Sequence, residues 1–561
     1  EIADDNNKPY RIKNNGEKEY YTNEDGYFGF IRTLALSTET DVTIDGNAFV
    51  KGSVYGGSEN GLVQYDTYVT INSGQIGCGK NTTERHPDAV WGDNYKVQEG
   101  TDLECAHWDY GKDTNGDQFA PYDPYAKYLY NGKYYYDEAH TKYAEGGANI
   151  ATDGHTYYGN VFGGGSGSVP YFDTQQGISR YISTAGEVKG NTHVTINGGH
   201  ILTNVYGGNE ATNVLGTAHV TMTGGTVGVP RTAEQIKNHP VTCYVFGAGK
   251  GDQRIFFNKE TNVNDAIVTI TGGRIYGSVF GGGEDGHVLR NTTVTIGDNG
   301  TGPTIGTTGT TYVDGNVFGG GRGFGGDALT AGNVGGAVDL TINGGTMLGS
   351  IYGGGRLASV GYGLYLVDEE VGGVKPYGVM REDNEYDGSY PNPSTEDAST
   401  FYNKGRGHIT ITVNGGTIGK EFESETEGAE HSGNVFGGSM GRLTKLDGTP
   451  FDANHWKLLA TAKSATINDT GGTIKRNVYG GGEMGTVTEN TYVNVSGGTI
   501  GTTGKGAANY GNVYGGGKGL ETVVLTVLWV HLPYLKTSEP LHGAIRTITP
   551  ALAVLRSLEA R

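Results

Sequence analysis

Cysteine is nearly missing from this 561-residue chain: there are three, an odd count too small to staple a fold with disulfides. Cys78 and Cys105 bracket one insertion and are placed to pair, while Cys243 stands alone. Proline is sparse, at 15 residues, and glycine does not recur at every third position, which excludes a collagen helix. The longest strongly apolar run, "VVLTVLWV" at 523–530, falls well short of the ~18 residues that a membrane-spanning helix requires, so no transmembrane segment is expected. Positive charge is thin: 41 Lys and Arg face 61 Asp and Glu, the formal net charge is −20, and no basic run occurs. That removes the electrostatic footprint of a nucleic-acid or anionic-lipid partner and suits a neutral glycan or a cation. No signal-peptide pattern surrounds Glu1, so the chain is expected to be a processed protein or a fragment whose targeting segment has been removed.

What the chain does have is glycine, 100 residues of it, and a sentence that repeats. An aliphatic-aromatic step followed by Gly-Gly or Gly-Ala occurs at Val54-Tyr55, Val161-Phe162, Val205-Tyr206, Val245-Phe246, Val279-Phe280, Val317-Phe318, Ile351-Tyr352, Val435-Phe436, Val478-Tyr479 and Val513-Tyr514. Each is preceded by "VTI" or a variant, beginning at Val42, Val69, Val194, Val220, Val268, Val294, Leu340, Ile411, Ala465 and Val493. Such iteration overrides the usual division of a long chain into globular domains.

In "VTINGGHILTNVYGG" the alternation of Val194, Thr195 and Ile196 has period two, which is a strand with its aliphatic residues on one side. "NGG" tolerates positive φ and makes a corner. Ile201 and Val205 then share a buried face, as do Ile275 and Val279, Met347 and Ile351, and Ile474 and Val478. A third extended piece, such as "HVLRNTTVTI", leads into the next unit. Compact units alternate with units that carry extra residues between their strands, so the natural period is a pair. One three-sided unit cannot bury its Val and Ile face, whereas stacked units bury one another's. The expected fold is all-β, a right-handed parallel β-helix or β-solenoid of about ten coils with loop insertions, roughly 50 Å long at the usual strand spacing. Residues 39–519 form this repeat domain, with insertions at 80–158 and 357–407. Residues 1–38 read as an N-terminal cap covering an otherwise open edge, and 520–561 as a C-terminal cap or a non-native tail.

Chemistry is expected in the insertions, since loops on a rigid scaffold usually carry function. The first holds a run of tyrosines that includes Tyr122, Tyr125, Tyr128, Tyr130, Tyr134, Tyr135 and Tyr136, which offer flat faces and hydroxyls to a glycan or protein or else pack an accessory lobe. It also holds "DTNGDQ", whose Asp113, Asn115 and Asp117 repeat the spacing of a calcium loop. Gln118 stands where that loop wants glycine and Pro124 where it wants glutamate, so the choice is a short calcium loop or an ordinary turn. No other cofactor is indicated. The row Thr43, Thr70, Thr195, Thr221, Thr269, Thr295, Thr341, Thr412, Thr466 and Asn494 is expected on the solvent side of the first strand, where threonine is simply favourable. It resembles the threonine face of ice-binding β-solenoids, which carry two threonines per coil and fewer insertions. The aromatic of each step points outward by parity, or is folded inward by the following glycines as a core ladder; the ladder is the favoured reading.

"VTINGGxI…NVYGGG" across residues 42–517 resembles the glycine-rich β-helix repeats of bacterial cell-surface, adhesin-like proteins, a pectin-lyase-like solenoid. The resemblance implies an exported, extracellular or cell-surface protein that contacts glycans or host and cell-surface proteins. No active-site motif is carried over. Parallel β-helices also host polysaccharide lyases and hydrolases, so an enzyme is the alternative and a structural fibre subunit a further one. Asp265, Asp298, Asp314, Asp327 and Asp339 lie scattered near loops, and His193, His219, His287 and His408 fall on polar strand positions. Oligomeric state is open.

Overall fold

Alternating Val, Thr and Ile between glycine corners build strands that pair only with their own copies in neighbouring repeats. The computed structural model describes residues 35–50, 52–77, 159–167, 185–230, 243–251, 261–308, 314–323, 331–361, 406–421, 432–443, 459–502 and 510–519, together with short strands elsewhere whose backbone alone is described. Among the described residues there is no helix. The architecture is all-β, with long parallel sheets consistent with a β-solenoid.

Two sheets carry it. An eighteen-stranded parallel sheet collects the "VTI" strands and the short strands beyond each Gly-Gly corner. A ten-stranded parallel sheet collects every aliphatic-aromatic step in order, from Val54–Tyr55 to Val513–Tyr514. These ten steps are numbered here as rungs 1 to 10. A third column runs along the remaining side, with Val63 bridging Val188, Val188 bridging Val214, Val263 pairing with Val288, and Val288 bridging Val334. Three aliphatic columns therefore face one another, and Val194, Ile196, Ile201, Val205 and Val214 share one continuous buried cluster with their counterparts above and below.

The "VTI" register is fixed from rung to rung, Val194 lying between Val69 and Val220. One expected position is corrected. Ile467, not Ala465, aligns with Ile411 and Val493, and Asn468, not Thr466, continues the threonine row. The Gly-Gly corner and the Thr473–Ile474 pairing beyond it set the register, and a two-residue slip would lose both. The consequence is that Asp469 occupies the inward position held by Val413 and Val495 in the flanking strands.

The aromatic ladder is a second core. Tyr55, Phe162, Tyr206, Phe246, Phe280, Phe318, Tyr352, Phe436, Tyr479 and Tyr514 stack with ring centroids 4.6–5.1 Å apart. Phe162 through Tyr479 are buried in a cluster separate from the aliphatic one. Parity does send these rings away from the valines, but the strip after the glycines folds back over them. That strip can lie close because its leading residue is glycine. A Cβ on Gly56, Gly163, Gly207, Gly247, Gly281, Gly319, Gly353, Gly437 or Gly480 would sit 2.1–2.4 Å from the carbonyl oxygen of the next rung's glycine.

Four residues beyond each aromatic lies a column that reads Glu59, Ser166, Glu210, Lys250, Glu284, Arg322, Arg356, Met440, Glu483, Lys518. Its members are aligned by backbone bonds such as Lys250 N to Asn209 O and Arg356 N to Gly321 O. Glu210, Glu284 and Glu483 each accept a tyrosine hydroxyl from two rungs earlier: Tyr55 at 2.5 Å, Tyr206 at 2.5 Å and Tyr352 at 2.7 Å. Each also meets a cation from the next rung: Lys250 at 3.0 Å, Arg322 at 3.3 Å and Lys518 at 2.9 Å. Wherever this column holds Lys, Arg or Met, the ring two rungs earlier is phenylalanine: Phe162, Phe246, Phe280, Phe318 and Phe436. The choice between Tyr and Phe thus follows the acceptor, because a buried hydroxyl without one is costly.

Of the 1–38 cap, Leu36–Ser37 already pairs in parallel with Leu62–Val63, and Ile2–Ala3, Pro9–Ile12 and Lys18–Tyr20 form a three-stranded antiparallel sheet. The 520–561 segment lies outside the described residues.

Asp469 gives a measurable signature. It is fully buried and neither carboxyl oxygen has a hydrogen-bond partner, so burial pushes the carboxyl up to about 6, against a weaker lowering influence of the nearby Gly471 N–H, which itself bonds the Val413 carbonyl. A raised folded-state value favours the protonated form. The associated stability is whole below the ordinary carboxylate value of 3.8, and is lost as pH rises through about 6. Asp469→Val should therefore raise unfolding free energy at pH 7.5 by about 2–3 kcal/mol. The gap to the parent should narrow by about that amount by pH 3.5, as followed by denaturant melts across that range.

Candidate ligand-binding face

The outer surface of the eighteen-stranded sheet is where the repeat exposes regular chemistry. Its first column is the threonine row: Thr43, Thr70, Thr195, Thr221, Thr269, Thr295, Thr341 and Thr412 in register, then Asn468 and Asn494. A second column, not anticipated above, follows the corner: Phe49, the buried Gln75, then His200, Thr226, Arg274, Thr304, Thr346, Thr417, Thr473 and Thr499. Its signal was in plain view as the residue after each Gly-Gly in "GGTM" and "GGTI".

Between the two, corner side chains bond along the axis. Asn197 donates to Asn72 at 2.9 Å, Thr223 to Asn197 at 3.0 Å, Asn414 to Asn343 at 2.9 Å and Thr470 to Asn414 at 2.6 Å. In-register copies make such ladders natural, since each amide finds its equivalent one strand spacing away.

Two residues upstream of the threonines a ring pile forms. Tyr68 stacks on His193 at 4.8 Å and His193 on His219 at 4.7 Å, both within 7° of parallel. Because ring faces are turned toward each other, the pile offers its edges, where the polar N–H and O–H groups lie. Asp66 anchors it: its Oδ2 lies 3.6 Å from His193 Nε2, and its Oδ1 accepts from the Asn191 N–H at 2.7 Å. Partial burial works to raise the Asp66 carboxyl, but the Asn191 hydrogen bonds and His193 outweigh it and hold it below the ordinary carboxylate range. His219 is lowered, first by burial and then by His193, with Asp66 opposing. The pile therefore sets ring-edge donors and acceptors beside one carboxylate.

The other candidates fall as follows. Asp265 is bound to Arg290 at 3.3 Å and accepts the Asn291 N–H. Asp314 is buried and accepts the N–H groups of Thr307 and Thr308, both at 2.6 Å, so it caps a loop. Asp298 and Asp339 are exposed, and Asp327 lies outside the described residues. His408 bonds Ser464 at 2.7 Å. His287 corrects its expectation: it is fully buried with Nδ1 3.2 Å from Asn262 Oδ1, because the third side of the repeat turns it inward. Cys243 is a buried free thiol, Cys105 lies opposite Gly79 in a short antiparallel pair, and Cys78 is outside the described residues.

Of the tyrosine insertion, a hairpin sets Tyr128 opposite Tyr135, Leu129 opposite Tyr134 and Tyr130 opposite Lys133. Tyr122, Tyr125, Tyr136 and the Asp113, Asn115, Asp117 set lie outside the described residues. Among the described residues, no group of three His, Cys, Asp or Glu is arranged to hold a metal ion, and no helix is long and apolar enough to cross a membrane. In comparisons with family models, with curated proteins and with solved structures, nothing matches the chain.

The pile makes a directional prediction for histidine titrations followed by NMR. His219 should titrate below its ordinary 6.5. His193→Ala should bring it back up, and Asp66→Asn should lower it further by removing the one opposing influence.

Proposed function

We propose that this chain is a right-handed β-helix of about ten coils that works outside the cell as a binding and adhesion scaffold for glycans, rather than as a catalyst. The observation that supports this reading most directly is the pair of threonine columns with its Tyr68, His193 and His219 pile. They are rigid and repeat at strand spacing on one face, so a polymer with its own repeating hydroxyls meets matched partners rung after rung. Preorganised short side chains lose little entropy on binding. The formal charge of −20 argues for a neutral polymer over a phosphorylated one. The insertion tyrosines, Tyr122 to Tyr136, would add a second contact region, and Asp113, Asn115 and Asp117 the residues through which calcium would order it.

An ice-binding reading draws on the same paired threonines, as in Thr341 with Thr346 and Thr412 with Thr417. Gln75, His200 and Arg274 interrupt the second column, and Tyr68, His193 and His219 stand beside the first, which favours the glycan.

The test is retention on a panel of immobilised neutral and acidic polysaccharides. The parent should be retained on at least one neutral polymer. A Thr269→Arg, Thr341→Arg double variant should lose at least tenfold in affinity, about 1.4 kcal/mol, with an unchanged melting temperature. Retention untouched by the double variant would remove the face from the proposal. Release of shortened chains from the matrix would favour the lyase or hydrolase reading.

A further inference from the structure

The two ends of the stack are written as if more rungs were present. At rung 10, Val513 is 47% and Tyr514 45% exposed, and Tyr492 and Val495 of the neighbouring sheet are 52% and 47% exposed. At the other end Leu36 is 47% exposed and the "TDVTI" strand alternates between intermediate and exposed positions. Yet rung 10 keeps the glycines. Everywhere else the first glycine after the ring is required because the next rung's carbonyl approaches a would-be Cβ to 2.1–2.4 Å, whereas Gly515 and Gly516 have nothing within 4 Å among the described residues. Neither has a positive φ, so conformation does not demand glycine there.

The ring at rung 9 and the charges point the same way, while Tyr514 at rung 10 would meet Ser166 of the incoming copy where the interior has a glutamate. By the rule of the interior, a tyrosine at rung n marks a glutamate at rung n+2. Tyr479, at rung 9, receives a hydrogen bond from Asn477 Nδ2 but donates to no carboxylate among the described residues. Residues 520–561 contain no Gly-Gly step with which to build another rung. Rung 1, however, carries Glu59 at the required place in the column, and Glu59 is exposed. If rung 1 of another molecule lay on rung 10, its Glu59 would stand two rungs from Tyr479. It would also stand directly above Lys518, as Glu284 stands above Lys250. The asparagine and serine column agrees: each side chain accepts the N–H of the next rung, from Asn434 to Asn477 and from Asn477 to Asn512, and Ser53 opens rung 1.

We infer that a second copy of this chain docks head to tail, rung 1 of one molecule on rung 10 of another, with Glu59 accepting the partner's Tyr479 hydroxyl and Gly515 admitting the backbone approach. The parallel sheets and the aromatic stack would then run through the junction without a break.

Gly515→Val separates this from a merely folded end. Among the described residues nothing lies near Gly515 in one molecule, so the variant should fold and melt like the parent, while its side chain would strike the Gly56 carbonyl of an incoming copy. Sedimentation of the full chain up to about 100 μM should reveal concentration-dependent linear association of the parent. That association should weaken at least tenfold in Gly515→Val and in Glu59→Arg and be unchanged in the exposed mid-face control Asp339→Lys. Register is read by disulfide trapping: Asn494→Cys with Thr43→Cys, adjacent at strand spacing in the proposed junction, should give covalent multimers on mild oxidation. Asn494→Cys with Thr70→Cys should not. A parent that stays monomeric throughout, association untouched by Gly515→Val, or trapping equal in both cysteine pairs would overturn the inference.

Discussion

Everything in this fold depends on how closely two backbones can approach at one point in the repeat. Where the chain leaves each aromatic residue, the next rung's carbonyl sits so near that a single methyl group would collide with it. Glycine at that spot lets the following strip fold over the ring, which turns a side chain that parity sends away from the valines into a second buried core. Without it the rings would lie in water and the strip that carries Glu210, Lys250 and Glu284 would have nothing to pack on.

The second core then has to solve an electrostatic problem. Buried carboxylates are tolerable only with partners, and here each partner is supplied by a neighbouring repeat: a tyrosine from two rungs back and a cation from one rung ahead. These sets coincide with three of the compact–loose pairs in the sequence, while the compact rung of Tyr352 carries Arg356 and the loose rung after it Met440. Glutamates fall on the compact rungs of Tyr206, Phe280 and Tyr479, and their cations on the loose rungs that follow.

Much of the architecture was legible because repetition amplifies weak signals. Period-two alternation in "VTI" and "TYVTI", the Gly-Gly corner and the Ile201 and Val205 spacing each recur often enough to outweigh local noise, and all fall where expected. Single deviant units were less legible. Ala465 looked like the start of a "VTI" strand because its triplet resembles one, yet the corner glycines override the triplet and bury Asp469 in its place. His287 looked polar and outward, but local pattern does not reveal which way the third side turns. Of the candidate site, the threonine row was readable at eight of its ten positions as threonine, with Asn494 ending it and Asn468 displacing Thr466. The second row was legible as the residue after the Gly-Gly corner; the ring pile was not, because each of its residues comes from a different repeat.

Sequence alone determined the all-β character, the buried aliphatic columns and the length of the unit, because these follow from side-chain periodicity and glycine tolerance within a few consecutive residues. Only the tertiary structure decided that the aromatic rings are covered, which carboxylates are paired, and which polar side chains meet on one face. Those properties belong to contacts between rungs dozens of residues apart, and no local preference encodes the distance across which they form.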